Sequence, residues 1–261
     1  MQNEVYKTIH AHKSVRKYLN KEVAPDILNR ICEAATKAST SGNMQAYSII
    51  VTTDKRIKNE LLEPHFNQSM VIEAPVLLTF CADFNRMRLW LKQSDAPDNF
   101  DNLMSFMIAG IDAILASQNA ALAAESEGLG ICYMGTTLAS CDRIAKILKC
   151  PEHVVPVVGF SLGYPDESLS IRERLPLDGI VHREHYQNYN NETISRIYHD
   201  KETKGLARYN AYPELRELIE KHEAKNLAQV YTKVKYTRES HLNYSQTVFN
   251  FLKQQNFLNF D

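Results

Sequence analysis

The chain has 261 residues, 44% of them hydrophobic and 23% charged, with a formal net charge of −1. That length allows one large buried core, and the near-zero charge excludes a global basic field for nucleic acid, so any anion site must be local. The five cysteines form no CxxC pair and are odd in number, which argues against a disulfide framework or a zinc site and for reduced thiols.

The N-terminus MQNEVYKTIH has no basic flank followed by an apolar run, so no signal peptide is expected. His12-Lys13-Ser14-Val15-Arg16 follows. In an extended segment the side chains alternate, so His12, Ser14 and Arg16 share one face. An imidazole, a hydroxyl and a guanidinium fork on one face are donors suited to a phosphate or a flat polar ring. The plainer reading is a solvated basic loop before a helix.

Pro25 to Ala38 reads as a helix, with Pro25 at its first position, Asp26 in its first turn and Ile27, Ile31, Ala34 and Ala38 on one face. The small-residue run Ser39-Thr40-Ser41-Gly42-Asn43 ends it. Tyr47 to Thr53 reads as a strand. Thr53 or Asp54 can cap a short helix through Leu62, and Gln68 lies in the loop beyond. Val76 to Ala82 is a second strand. Phe84 to Leu103 is polar and irregular around Pro97, and reads as a mobile excursion or lid.

Met104 to Glu125 reads as a long helix, apolar on most of its circumference and kept thin by alanines. Asp112, Gln118 and Asn119 make it a poor membrane span, and such a helix is buried in a core or against a partner subunit. Ile131 to Met134 is a short strand stopped by Gly135. Ser140 caps a helix through Leu148, and Val154 to Leu162 is a third strong strand. Arg172 and Arg174 can share a face of an extended chain. From Tyr186 the composition shifts to Asn, Tyr, Lys, Glu and His. Lys201 to Arg208 is a basic polar segment, Glu214 to Val234 is partly helical, and Thr247 to Phe257 is an amphipathic helix with Val248, Phe251 and Leu252 inward.

Gly128 and Gly130 do not make a dinucleotide fingerprint, because they follow a helix and the third glycine is displaced to Gly135. GxxxxGK[ST], HExxH and GxSxG are absent. His182 and His185 have no third ligand in reach and read as surface residues. Four local binders remain: His12/Ser14/Arg16, the Ser39–Asn43 loop, the Tyr133-Met134-Gly135 turn and Arg172/Arg174. Residue chemistry alone takes these as far as a phosphorylated small molecule.

HKSVRKY, STSGNMQ before a strand, Gln68 before another, CADF, AESEGLGICYMG, VVPVVGFSLGYP and RERLP occur in that order from about Glu4 to Tyr186. Together they resemble the FMN-dependent nitroreductase family, in its NADPH-dependent, oxygen-insensitive nitroreductase and flavin reductase branch. The resemblance implies an α+β fold, a mainly antiparallel sheet flanked by helices, in an intertwined homodimer with FMN at the interface. It implies one domain over 1–261, with an excursion around 84–103 and a C-terminal extension from about 186. It places His12 and Ser14 near the FMN phosphate, Arg16 near the pyrimidine end, Thr40 and Ser41 from the partner subunit, and Gln68 on the pyrimidine edge. Tyr133, Met134 and Gly135 pass main chain along the reactive edge, and Arg172 and Arg174 hold the phosphate. Lys201, Lys204 and Arg208 could select the 2′-phosphate of NADPH, with Lys204 and Arg208 the candidates carried forward. The branch usually has a second glycine where Thr136 stands and often a lysine where Arg172 stands.

The implied function is two-electron transfer in a ping-pong cycle, from NADPH in preference to NADH, through FMN to nitroaromatics, quinones or flavins. The flavin does the redox chemistry, so no catalytic side chain is assigned. No metal, nucleic acid or membrane is expected, and the location is cytoplasmic. Alternatives are a flavin carrier or sensor without turnover, or another reaction on the same fold, such as flavin fragmentation or reductive dehalogenation.

Overall fold

The computed structural model describes residues 3–260. In chain order, α1 is Glu4–Ala11, α2 Pro25–Thr36, β1 Tyr47–Thr52, α3 Lys55–Leu62, α4 Met70–Glu73, β2 Val76–Asp83, α5 Asn85–Gln93 and α6 Leu103–Ser126. Then come β3 Gly130–Tyr133, α7 Thr136–Ala139, α8 Cys141–Ile147, β4 Val154–Gly163, α9 Asn191–Asn210, α10 Pro213–Lys221, α11 Leu227–Val230 and α12 Arg238–Gln254.

The four strands form one sheet in the order β1-β2-β4-β3, with every neighbouring pair antiparallel. β2 is buried along its whole length, because helices cover both faces of the sheet. On one face α2 and α6 close a core containing Ile31, Leu78, Phe80, Ala116, Ala120, Ile131 and Phe160. On the other, Leu61, Met70, Val71, Leu77 and Ile144 gather residues of α3, α4 and α8. The alanines of α6 let its backbone lie close to the sheet. Its buried side also carries Asp112, at 1% exposure. α6 is long and apolar enough to cross a membrane by length and composition, but half of its most apolar window is buried inside the fold.

Local signals place several element ends. Asp54 caps α3 by accepting from the N–H groups of Arg56 and Ile57. Ser140 precedes α8 without a capping bond of its own; its hydroxyl accepts instead from Arg143. On α12, Phe251 and Leu252 are buried and Val248 partly so, beside Phe84, Phe106 and Phe257.

The 84–103 stretch is not irregular throughout: Asn85–Gln93 is helical, Phe84 is fully buried and stacks on Phe100 at 4.6 Å, and Arg88 pairs with Asp98. The basic polar segment Lys201 to Arg208 is part of α9. Gly205 belongs there because a Cβ would meet Leu227 Cδ2 at 2.6 Å.

The chain divides into two compact units, Met1–Ser170 with Tyr244–Asp261, and Ile171–Asn243. The first holds the sheet. The second is built from α9, α10, α11 and a π turn, Tyr231–Lys235. The extension expected from about residue 186 thus corresponds to a unit that starts at Ile171 and hands the chain back at Tyr244.

Candidate active site

In the first unit the chain leaves α1 extended and crosses β3. Ser14 pairs in parallel with Ile131, and the Val15 N–H donates to the Ile131 carbonyl at 2.8 Å. Val15 is 5% exposed and Arg16 is exposed, whereas His12, Lys13 and Ser14 are all half-buried. The crossing depends on Gly130: a Cβ there would lie 2.5 Å from Val15 Cγ2 and 2.7 Å from Val15 Cβ. Tyr18 pins the segment from below, its hydroxyl donating to the Val15 carbonyl at 2.6 Å. Glu167 fixes the outer side by accepting from the N–H groups of Arg16 at 2.6 Å and Lys17 at 3.1 Å.

The His12 imidazole is oriented by a carboxylate. Its Nδ1 lies 2.6 Å from Oε1 of Glu125, near the end of α6. Burial pushes the Glu125 carboxyl up, and the His12 ring beside it pulls it back. With Nδ1 engaged, Nε2 is the ring atom left for a ligand. Arg16 Nη1 donates to the Ser14 carbonyl at 3.2 Å, leaving the rest of the guanidinium fork open.

At the end of β3 the Tyr133 and Met134 side chains turn inward and Gly135 is exposed. The Tyr133 hydroxyl contacts Ser117 Oγ at 3.1 Å, and burial raises its pKa. Met134 is 2% exposed, and its N–H donates to the Gly159 carbonyl at 2.9 Å. At Gly135 a Cβ would meet nothing within 4 Å, and the N–H has no acceptor among the described residues. Next to it, Thr136 Oγ1 lies 2.8 Å from His65 Nδ1 and 3.5 Å from Gln68 Nε2. Gln68 is thereby brought to the Tyr133–Gly135 turn.

Thr40 and Ser41 are held elsewhere. Asp112 accepts from the N–H groups of Ser41 at 3.0 Å and Ala46 at 3.3 Å. Asp112 and Glu125 are thirteen residues apart on α6, which is roughly 20 Å along a helix. Within one chain, the Thr40–Ser41 loop and His12 are therefore anchored at separate places. Asp112, Glu125 and His65 had no functional signal in the sequence; Thr136 stood out only as a departure from the family pattern.

The second unit carries the remaining candidates. Arg174 has no partner among the described residues and lines an open cleft of about 670 Å³ with Ser195, Arg196, His199 and Asp200 of α9. Arg172 precedes it in a segment without helix or strand. Lys204 pairs with Asp200 at 2.9 Å, and Arg208 grips both carboxylate oxygens of Glu173. Arg208 holds the Glu173 carboxyl below its usual range. Both cations are thus already paired within the second unit. Among the described residues no group of three or more His, Cys, Asp or Glu could hold a metal ion.

The extended His12–Arg16 segment crossing β3, the open turn at Gly135 and the Gln68 amide are the groups of the first unit left to meet a ligand. Residues 9–164 match the Nitroreductase family, and the chain belongs to it. An NADPH-dependent oxidoreductase of Staphylococcus aureus (strain USA300) is 34% identical over 220 residues, covering 78% of this chain and 86% of that protein. An FMN reductase [NAD(P)H] of Bacillus subtilis (strain 168) is 34% identical over 242 residues, covering 84% and 97%. The crystal structure of a Bacteroides fragilis NCTC 9343 oxidoreductase superposes with a TM-score of 0.88 at 40% identity, covering 97% of this chain and 100% of that one.

Proposed function

We propose that this protein, an NAD(P)H-dependent flavin oxidoreductase with FMN as its cofactor, passes electrons to nitroaromatics, quinones or free flavins. The observation that carries the reading is the turn at Gly135. Open space, an N–H without an acceptor and the free Gln68 carbonyl oxygen lie together there. The exposed Arg16 fork and the Glu125-oriented His12 ring lie on the segment that crosses β3, the strand leading into this turn. This donor set fits FMN: cations and hydroxyls for a phosphate, main chain and an amide for a ring edge.

The bound group supplies two-electron carriage between NAD(P)H and the acceptor. The chain's residues bind and orient. His12 and Ser14 serve the phosphate end; Arg172 and Arg174, which belong to the second unit, are kept as phosphate binders on the family resemblance alone. Arg16 sets positive charge at the pyrimidine end, Gln68 meets the ring edge, and the main chain of Tyr133, Met134 and Gly135 borders the reacting edge. For coenzyme choice we keep Lys204 and Arg208, with the condition that a 2′-phosphate must displace Asp200 and Glu173 from them.

A homodimer is part of the same reading. Met104, Met107, Ile111, Ile114 and Leu115 make an apolar stripe along the outer side of α6, each between 42% and 67% exposed. A second copy of the chain would cover it and bring the partner's Thr40 and Ser41 to the ring. A cytoplasmic location accords with five cysteines that form no disulfide.

The test is anaerobic mixing of the flavin-loaded protein with NADPH. Bleaching of the flavin band within seconds, followed by reoxidation with a nitroaromatic or quinone, is expected. A flavin band that persists would make the protein a carrier without turnover.

A further inference from the structure

We propose that His65 and Thr136 form a positioning pair for Gln68, fixing its amide so that the carbonyl oxygen accepts the N3–H of the flavin ring. The inference rests on the FMN reading above and concerns what His65 and Thr136, to which the family resemblance assigns no role, do for Gln68.

Gln68 is delivered by a constrained turn. Phe66 and Asn67 both adopt left-handed backbone, with φ of 57° and 55°. Asparagine tolerates that conformation, whereas a bulky residue such as phenylalanine adopts it rarely. Here the N–H groups of Phe66 and Asn67 donate to the carbonyls of Glu63 and Leu62, and the Phe66 ring stacks on Tyr244 at 5.9 Å.

The orientation of the amide then follows from its neighbours. Gln68 Nε2 lies 2.9 Å from the His65 carbonyl oxygen. A carbonyl accepts and cannot donate, so the end of the amide facing it must be the NH2. The second neighbour of that NH2 is Thr136 Oγ1. His65 is 1% exposed, and burial holds its pKa at about 4, so its ring is neutral. A neutral Nδ1 can take the single Thr136 hydroxyl proton across their 2.8 Å contact, leaving the Oγ1 lone pairs for the amide. Both acceptors therefore point one way, and Gln68 Oε1 is turned out. Among the described residues it accepts from nothing, and it is not sealed away from solvent.

An outward carbonyl selects a donor on the ligand. The oxidised flavin ring has one N–H, at N3, between two carbonyls. A flipped amide would meet those carbonyls instead, so the two orientations are chemically distinct. Thr136 and His65 also depend on each other. A glycine at 136, usual in this branch, would leave His65 Nδ1 buried without this partner.

The experiment measures binding of FMN and of 3-methyl-FMN, which has no N3–H, to the flavin-stripped full chain by fluorescence quenching. The N3–H resonance of 15N-labelled FMN is followed on the same variants. The wild type is expected to prefer FMN about tenfold, the scale of one buried hydrogen bond. Gln68→Ala should abolish the preference. Thr136→Val should shrink it severalfold and broaden or shift the N3–H resonance, while Thr136→Ser retains both. A thermal melt of each variant separates this from misfolding, and the serine variant keeps the test open if the valine variant fails to fold. Equal binding of the two flavins by the wild type overturns the proposal, as does a Thr136→Val protein with full preference and an unchanged resonance. FMN binding with rapid bleaching by NADPH but no N3 preference sinks this inference alone; failure to bind FMN sinks the functional reading with it.

Discussion

The demand on Gly130 can be turned into a measurement. In Gly130→Ala the new methyl would stand 2.5 Å from Val15 Cγ2, 2.7 Å from Val15 Cβ and 3.0 Å from Pro165 Cγ. Carbon contacts settle near 3.5–4.0 Å, so the His12–Arg16 segment must move by about 1 Å. That movement stretches the 2.8 Å bond from the Val15 N–H to the Ile131 carbonyl beyond hydrogen-bonding range. Overpacking costs about 1–3 kcal/mol and the lost bond about 1 kcal/mol, so a loss of about 2–4 kcal/mol is expected in urea unfolding of the flavin-free protein. FMN affinity should fall at least tenfold in fluorescence titration, because His12, Ser14 and Arg16 ride on the displaced segment. Val15→Gly removes both clashing Val15 atoms. In the double-mutant cycle Gly130→Ala should cost at least about 1 kcal/mol less in the Val15→Gly background, against the ~0.5 kcal/mol within which independent sites add. Additive costs, or unchanged FMN affinity in Gly130→Ala, would refute the account of how this segment is placed.

Other outcomes follow from the same geometry. Arg16→Ala should lower the two-electron potential of bound FMN by about 30 mV, the equivalent of about 1.4 kcal/mol of differential interaction; Arg172→Ala should weaken FMN binding with a much smaller shift, and equal shifts in spectroelectrochemistry would reverse the two roles. His65 stays neutral in the fold down to about pH 4, whereas its unfolded pKa is near 6.5. Its contribution is therefore full above pH 6.5 and is lost as pH falls toward 4, about 3 kcal/mol in all; urea unfolding should show a shallower acid loss in His65→Asn than in wild type, and parallel pH profiles would contradict this. Glu173→Gln releases Arg208, so the KM for NADPH should fall severalfold while that for NADH stays put; an equal change for both would remove Arg208 from coenzyme selection. Ile111→Asp with Ile114→Asp should yield monomers in sedimentation velocity, and a surviving dimer would place the interface away from α6.

The elements legible in the sequence are those decided by short-range rules. The Asp54 cap, the Pro25 start of α2 and the β-branched runs of β1, β2 and β4 each depend on residues a few positions apart. What was missed is non-local or masked by composition. In α9, Gly205 and a polar run hide a helix whose cap is Asn190 and whose glycine seats Leu227. The free charge expected of Lys204 and Arg208 is cancelled, in the case of Arg208, by Glu173, 35 residues away in sequence. His65 meets Thr136 across 71 residues, and His12 meets Glu125 across 113. The resemblance supplied the residues proposed to face the ligand, and it could not supply the anchors behind them. Those anchors did leave one trace: Asp112 interrupts an otherwise apolar helix, which in the sequence served only to argue against a membrane span. In the fold Asp112 holds the Thr40–Ser41 loop and Glu125 holds His12, both from α6. A single rigid helix thus sets the separation between the His12 end of the site and the loop expected to serve the partner subunit. Buried carboxylates on an apolar helix therefore merit reading as anchors for loops that carry function, because an ionised group without such N–H or imidazole partners would be too costly to bury.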